Sequence, residues 1–207
     1  MRTPWQEIPL EDYEAHMSLP SVAQAGMLAD QLAHLIERHA PASVAIIGCA
    51  GGNGLERLDA TCVKRIVAID INPEYVAAAE LRHAGRLGRL DCRCADVQSE
   101  TLTFDPVELI YAALVFEYVD VAATFATLKR NLRPGGALAV ILQLRHSGQH
   151  VVSASPYRSL EKLTPVLKLV EPDELCSYAR AAGFGVESSN RIDLPSGKQF
   201  WLQIFRG

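Results

Sequence analysis

Four glycines stand within the seven residues 48–54, directly after the short apolar run SVAIIG at 43–48. Glycine loses more conformational freedom on folding than any other residue, so a cluster beside a buried strand needs a reason, such as close approach of a ligand to the backbone. Asp70 follows Gly48 by 22 residues and ends a second apolar run, RIVAID. A carboxylate at that spacing can accept hydrogen bonds from ribose hydroxyls. The two features together predict a nucleoside site.

The spacing within the glycine cluster separates three kinds of nucleotide-binding loop. A phosphate-binding P-loop needs a second glycine followed by lysine, but Asn53 occupies the glycine position and no lysine follows. A dinucleotide fingerprint, Gly-x-Gly-x-x-Gly, is met by Gly48 but fails at Ala50 and Asn53. The remaining pattern places small residues at every second position, a spacing by twos. It indicates a tight bend over a ligand that has no phosphates to cradle, and its members are Gly48, Ala50, Gly52 and Gly54.

Strands and helices alternate along the chain and must position these residues. Apolar, β-branched runs predict five strands at 43–48, 65–70, 90–96, 106–114 and 137–144. Apolar stripes and end signals predict helices at 21–41, 72–85, 120–136 and 172–183, whereas 145–170 reads as irregular. The runs 184–192 and 198–205 predict an antiparallel hairpin. The fold class expected is α/β, a three-layer sandwich with a mostly parallel seven-stranded sheet and helices on both faces.

Length and composition narrow the classes of function. The 207 residues suit one domain, and a net charge of −4 argues against nucleic acid as a partner. The sequence contains no apolar stretch of membrane-spanning length and no signal peptide. We therefore expect no association with a membrane, and we expect a cytoplasmic location. The five cysteines are odd in number and share no recurring spacing, which indicates reduced thiols and no metal site.

Five motifs, in order, carry a resemblance to a known family. They are IIGCAGGNG, VAIDINPEYV, CAD at 94–96, LIYAALVFEYV and LRPGGALAVI. The chain resembles a class I S-adenosylmethionine-dependent methyltransferase over about residues 43–205, as a small single-domain member of bacterial type. The resemblance implies S-adenosylmethionine as cofactor and S-adenosylhomocysteine as product. It also implies a division of the domain into an arm or lid with a helix (1–40), a cofactor-binding half (41–144) and a substrate side (145–207).

The resemblance implies a contact for each part of the nucleoside. Asp70 would accept from the ribose hydroxyls and Ile71 would lie against the adenine. Asp96 would accept from the adenine amino group, and the Val97 backbone N–H would donate to the ring. The loop of Gly48, Ala50, Gly52 and Gly54 would bend over the cofactor, with Ala112 and Leu114 beside the sulfonium.

The amino-acid end of the cofactor has no obvious partner in the motifs. The family often places an acid two residues before the first glycine, where this sequence has Ile46. We therefore expect the N-terminal arm to supply the contacts through Tyr13, His16 or Gln24, and the Gly48 carbonyl to accept from the amine.

The chemistry implied is transfer of a methyl group to an acceptor, and it needs a base only where the acceptor must first lose a proton. Candidates after the fourth strand are Glu117 and Tyr118, and candidates after the fifth are His146 and His150. No signature for methylation of nucleic-acid bases and no metal set is present, so a small-molecule acceptor is expected. The arm and the 145–170 loop would enclose it. The oligomeric state and the acceptor atom stay open.

Three other functions fit the same fold. The chain could bind S-adenosylmethionine without catalysis, as a sensor or assembly partner. It could transfer an aminopropyl group, which would need an acidic pocket for a polyamine. It could be a nicotinamide oxidoreductase, which calls for a third glycine where Asn53 stands.

Overall fold

A seven-stranded sheet organises the chain in the computed structural model, which describes residues 3–145, 153 and 155–207. The strands are β1 (Ser43–Ile47), β2 (Arg65–Asp70), β3 (Arg89–Cys94), β4 (Val107–Ala113), β5 (Leu132–Gln143), β6 (Gly185–Asp193) and β7 (Gln199–Arg206). Their order is β3-β2-β1-β4-β5-β7-β6, and β7 alone among them runs antiparallel to both of its neighbours. The predicted fold class and the C-terminal hairpin are confirmed.

Helices cover both faces of this sheet. They are α1 (Leu10–Ser18), α2 (Gln24–His39), α3 (Pro73–His83), α4 (Val121–Arg130) and α5 (Pro172–Ala181). Residues of α2 and α3 share a buried cluster with one face, and residues of α4 and α5 share a second cluster with the other. Strands β1 and β4 are buried on both faces, which explains their nearly continuous apolar sequence.

Side-chain caps fix two of these helices where the sequence predicted them. Asn72 Oδ1 accepts from the Glu74 N–H at 2.9 Å at the start of α3, and Pro73 occupies its first position. Asp120 Oδ1 accepts from the Ala123 N–H at 2.8 Å at the start of α4. The caps place the turns that lead from β2 and β4 into these helices.

The arm, for which the sequence analysis assigned no secondary structure, contains α1 and a 3-10 helix at Pro4–Glu7. Two local predictions were wrong. The β1–β2 and β3–β4 connections contain no α-helix, so the expected full alternation fails; the first has only a 3-10 turn at Leu55–Arg57. The irregular 145–170 segment contains a 3-10 helix at Arg158–Leu163, whose buried Leu160 and Leu163 pack against Ile8 of the arm.

The helix predicted to include Leu132 and to be stopped by Pro134-Gly135-Gly136 ends at Arg130, and β5 begins at Leu132. Asn131 explains the early end. Its Nδ2 donates to the Thr127 carbonyl at 2.9 Å, and its Oδ1 accepts from the Phe104 N–H at 2.8 Å. A side chain that satisfies both the last turn of the helix and a neighbouring loop leaves the chain free to join the sheet.

Within the described residues, no helix is long and apolar enough to cross a membrane. The same residues contain no group of three metal-ligating side chains, and all five cysteines are free thiols.

Candidate functional site

A cavity of about 240 Å³ lies at the carboxyl ends of β1, β2 and β4. This is where parallel α/β sheets bind ligands. Nine of the residues singled out in the sequence line it: Tyr13, Gly48, Ala50, Asp70, Ile71, Asp96, Val97, Leu114 and Tyr118.

In the loop after β1, every second residue has a positive φ angle. All four residues of the spacing by twos have positive φ: Gly48 at 70°, Ala50 at 46°, Gly52 at 95° and Gly54 at 88°. At Gly48 a side chain is excluded by sterics as well, because a Cβ there would lie 2.8 Å from Val115 Cγ2. Ala50 tolerates its conformation at a cost, since residues other than glycine adopt it rarely. The backbone, free of side chains at Gly48, forms one wall of the cavity.

Asp70 lies beneath this loop and holds it in place. Its Oδ2 accepts from the Ala50 N–H at 2.9 Å, and its Oδ1 accepts from the Asn72 N–H at 2.9 Å. Burial raises the pKa of Asp70, and these backbone hydrogen bonds partly oppose that rise. A carboxylate has about four acceptor positions, so two bonds leave capacity for ribose hydroxyls.

The N-terminal arm closes over the cavity. Asn72 Nδ2 donates to the Trp5 carbonyl at 2.9 Å, and the Tyr75 hydroxyl donates to the Ile8 carbonyl at 3.0 Å. The Trp5 ring meets the ring of Tyr13 at 5.7 Å and that of Tyr118 at 4.9 Å, both edge to face. The arm is thereby fixed to the β2–α3 connection and forms an aromatic roof.

A second cavity, of about 60 Å³, adjoins the first. Four residues line both cavities: Trp5, Tyr13, Leu114 and Tyr118. Leu114, between them, has φ of 56°, an unusual conformation for leucine. The two cavities therefore share a wall formed by these four residues.

Buried polar groups line the second cavity. Glu117 Oε1 accepts from the Gln143 N–H at 2.7 Å, whereas its Oε2 has no hydrogen-bond partner among the described residues. Burial raises the pKa of Glu117 to about 7. Burial lowers the pKa of Lys198 to about 8, and its Nζ donates to Gln143 Oε1 at 3.4 Å. The pKa of His16 is lowered by burial and, second, by Lys198.

The remaining predicted residues lie elsewhere. Gln24, His16 and Glu117 line the second cavity, and Gly52 lines a third of about 390 Å³ outside the loop, beside Arg82. Two predicted residues line none of the three: Gly54 and Ala112.

Packing gives each of these two residues a role in the core. A Cβ on Gly54 would meet Leu32 and Ala29 of α2, so this glycine allows close helix packing. Ala112 is fully buried in the core, whereas Ala113 and Leu114 line the first cavity. His146 and His150 lie outside the described residues.

Gln143 and Lys198 are among the side chains of the second cavity that sequence reasoning missed. Gln143 follows the apolar run 137–142 at the end of β5, and Lys198 follows the Pro-Ser-Gly turn of the terminal hairpin. A polar residue at the end of an apolar strand was the signal for Gln143. Lys198 gave none, because a lysine beside a turn is ordinarily exposed.

The first cavity suits S-adenosylmethionine. Its walls are mainly apolar, and it has a backbone wall at Gly48 and a half-buried carboxylate at Asp70. These residues would hold a nucleoside between Asp70 and Ile71 on one side and Asp96 and Val97 on another.

Comparisons with known proteins agree with this fit. Residues 46–140 match a family described as a methyltransferase domain. The structure is similar to the N-methyltransferase NodS from Bradyrhizobium japonicum WM9 in complex with S-adenosyl-L-homocysteine. The TM-score is 0.64 at 19% identity, with 98% of this chain and 90% of that chain covered.

Two further structures share the fold. An S-adenosylmethionine-dependent methyltransferase from Methanosarcina mazei gives a TM-score of 0.62 at 15% identity, covering 83% of this chain and 96% of that chain. The [4+2]-cyclase SpnF gives 0.67 at 17% identity, covering 86% and 80%. A comparison of the sequence with curated proteins gives no significant match.

The match over 46–140 spans the glycine loop, the acid that ends β2 and the strand β4 that leads to the aromatic roof. The sheet order and the antiparallel β7 complete the same architecture. Residues 46–140 match a methyltransferase domain, and the structure around them has the fold of S-adenosylmethionine-dependent methyltransferases, which supports a transferase that uses S-adenosylmethionine as cofactor.

Proposed function

We propose that the protein transfers the methyl group of S-adenosylmethionine to a small-molecule acceptor bound in the second cavity. The observation that carries the proposal is the shared wall of Trp5, Tyr13, Leu114 and Tyr118, which lie on both cavities. An acceptor in the second cavity is adjacent to a donor in the first.

The size and cover of the second cavity favour a small acceptor. Its volume is about 60 Å³, and the arm and the 157–167 segment lie over it. Ser159 Oγ donates to Asp12 Oδ2 at 2.5 Å, and Lys162 Nζ donates to Glu7 Oε2 at 2.9 Å. A macromolecular substrate would have to displace both segments.

The chain's own residues contribute orientation and exclusion of water. The bound cofactor supplies an electrophilic methyl group. Asp70 and the Gly48 wall would hold the nucleoside, Tyr13 and Leu114 would flank the reacting centre, and the aromatic roof would keep water out. Orientation in a dry site supplies much of the rate in reactions of this kind.

A transfer survey tests the proposal. Purified protein and methyl-labelled S-adenosylmethionine are incubated with pooled small metabolites, with a mixed protein lysate freed of small molecules, and with RNA and DNA. We expect label in the small-molecule pool. Label confined to protein or nucleic acid would contradict the proposal, and an Asp70→Ala variant controls for label that does not depend on the site.

We further propose the division of labour set out from the sequence. Residues 1–40 act as lid and supporting helix, 41–144 bind the cofactor, and 145–207 contribute the acceptor side through the 157–167 segment and Lys198.

A further inference from the structure

We infer that the methyl acceptor is a small amine, whose nitrogen contacts the rings of Trp5, Tyr13 and Tyr118 and donates an N–H to Glu117 Oε2. The inference rests on the proposed function, because it names the class of acceptor for the same second cavity. It makes Glu117 the group that receives the proton.

The three rings provide the first reason. Trp5 lies between Tyr13 and Tyr118, and its interplanar angles to them are 77° and 85°. All three line both cavities, so they surround the junction that the transferred methyl must cross. Burial raises the pKa of Tyr13 and of Tyr118, so both phenols stay neutral. Aromatic faces stabilise a nitrogen that becomes positively charged as it is methylated.

The carboxylate provides the second reason. Glu117 is 2% exposed, and one of its two oxygens has no hydrogen-bond partner among the described residues. A buried polar atom left without a partner is costly unless a ligand supplies one. The other oxygen is fixed by the Gln143 N–H, which holds the carboxyl group in one orientation.

The other charged and titratable groups of the cavity favour an amine in its neutral, nucleophilic form. Lys198 lies on the same cavity, and a second positive charge near it is disfavoured. His16 has a lowered pKa and adds no strong positive charge. Glu117, whose pKa is raised to about 7, can receive a proton near neutral pH.

The transfer step moves one methyl group from sulfur to nitrogen and one proton from nitrogen to Glu117. The nitrogen lone pair forms the N–CH₃ bond while the methyl–sulfur bond breaks, and that electron pair stays on sulfur. The nitrogen loses one proton to Glu117 Oε2, which later passes it to water. A carboxylate or thiolate acceptor would place a second negative charge beside Glu117 and would have no proton to give it.

A matched set of probes tests the class of acceptor. n-Propylamine, 1-propanol, 1-propanethiol and propionate have similar size and differ in the reacting group. Their binding to the S-adenosylhomocysteine complex is measured by ligand-observed NMR, for the wild type and for Glu117→Gln, which keeps the shape and the acceptor for the Gln143 N–H. Glu161→Gln, an exposed acid of the 157–167 segment, is the matched control.

We expect the wild type and Glu161→Gln to bind n-propylamine best. Glu117→Gln should bind it about tenfold more weakly or worse, as for a lost hydrogen bond to a charged group, with unchanged affinity for S-adenosylhomocysteine. Strongest binding of 1-propanol, the thiol or propionate, equal amine binding by Glu117→Gln, or no binding of any probe would overturn the inference. A wild type that fails to bind S-adenosylhomocysteine would instead contradict the proposed function.

Discussion

The Ala50 N–H donates a hydrogen bond of 2.9 Å to Asp70 Oδ2, and this bond joins the loop after β1 to the end of β2. Ala50 also has φ of 46°, a conformation that residues other than glycine rarely adopt, so the hydrogen bond stabilises an unusual backbone. The acid that would bind the ribose is therefore also the acid that shapes the glycine loop.

Replacing Asp70 tests both roles. Asp70→Ala should weaken binding of S-adenosylhomocysteine by about 1.5–3 kcal/mol, because hydrogen bonds to a charged group are lost and the loop is released. Calorimetric titration measures the change. Asp173→Asn, in the first turn of α5, should leave affinity unchanged. Unaltered affinity in Asp70→Ala would remove Asp70 from the site.

A Cβ at Gly48 should damage the site. Gly48→Ala would place that atom 2.8 Å from Val115 Cγ2 on a backbone with φ of 70°, so we expect a loss of about 1–3 kcal/mol of folding free energy and weaker cofactor binding. Urea denaturation and calorimetry measure the two effects.

Gly26→Ala supplies the control for that substitution. Gly26 lies in α2, and a Cβ added there would have no other atom within 4 Å, so alanine should stabilise the helix by about 0.5–1 kcal/mol. Equal behaviour of the two variants would show that neither the conformation nor the contact at Gly48 matters.

Glu117 should make stability depend on pH. Its pKa rises from 4.5 to about 7 on folding, so between these values the unfolded chain releases a proton that the folded chain retains. Stability is therefore lost as pH rises through this window, on the order of 3 kcal/mol in all. Denaturation at a series of pH values should show the loss in the wild type and not in Glu117→Gln. Parallel curves for the two proteins would contradict a raised pKa.

Trp5 should report cofactor binding by fluorescence. Trp5 lines the first cavity, whereas the Trp201 Nε1–H donates to Gln203 Oε1 on β7 at 3.1 Å and the residue lines none of the three cavities. Trp201→Phe protein, with Trp5 as its single tryptophan, should change emission when S-adenosylhomocysteine is added. Trp5→Phe protein should not. A change seen only in the second variant would place the cofactor elsewhere.

The first cavity was largely predictable because its signals are local. Gly48, Ala50 and Asp70 stand at the ends of apolar runs, and the carboxyl ends of parallel strands meet at one edge of the sheet. Which residues of β4 face the cavity was not predictable, since a strand that is buried on both faces shows no alternation of polar and apolar residues. Ala112 was therefore expected together with Leu114, whereas Ala113 lines the cavity beside Leu114.

The second cavity depended on contacts between distant parts of the chain. Gln143 and Lys198 are 55 residues apart and meet because β7 enters the sheet antiparallel beside β5. The arm gave no helical stripe, because α1 has two buried residues, His16 and Met17. Neither arrangement is encoded in a short stretch of sequence.

The two segments that cover the site come from opposite ends of the chain: Ser159 pairs with Asp12 across 147 positions, and Lys162 pairs with Glu7 across 155. During synthesis on the ribosome, β1, β2 and β4 are all made well before residue 159. A nascent chain thus carries every lining residue of the first cavity except Val166 once Val119 has been made, but Ser159 and Lys162 cannot hold the arm until most of the chain has emerged.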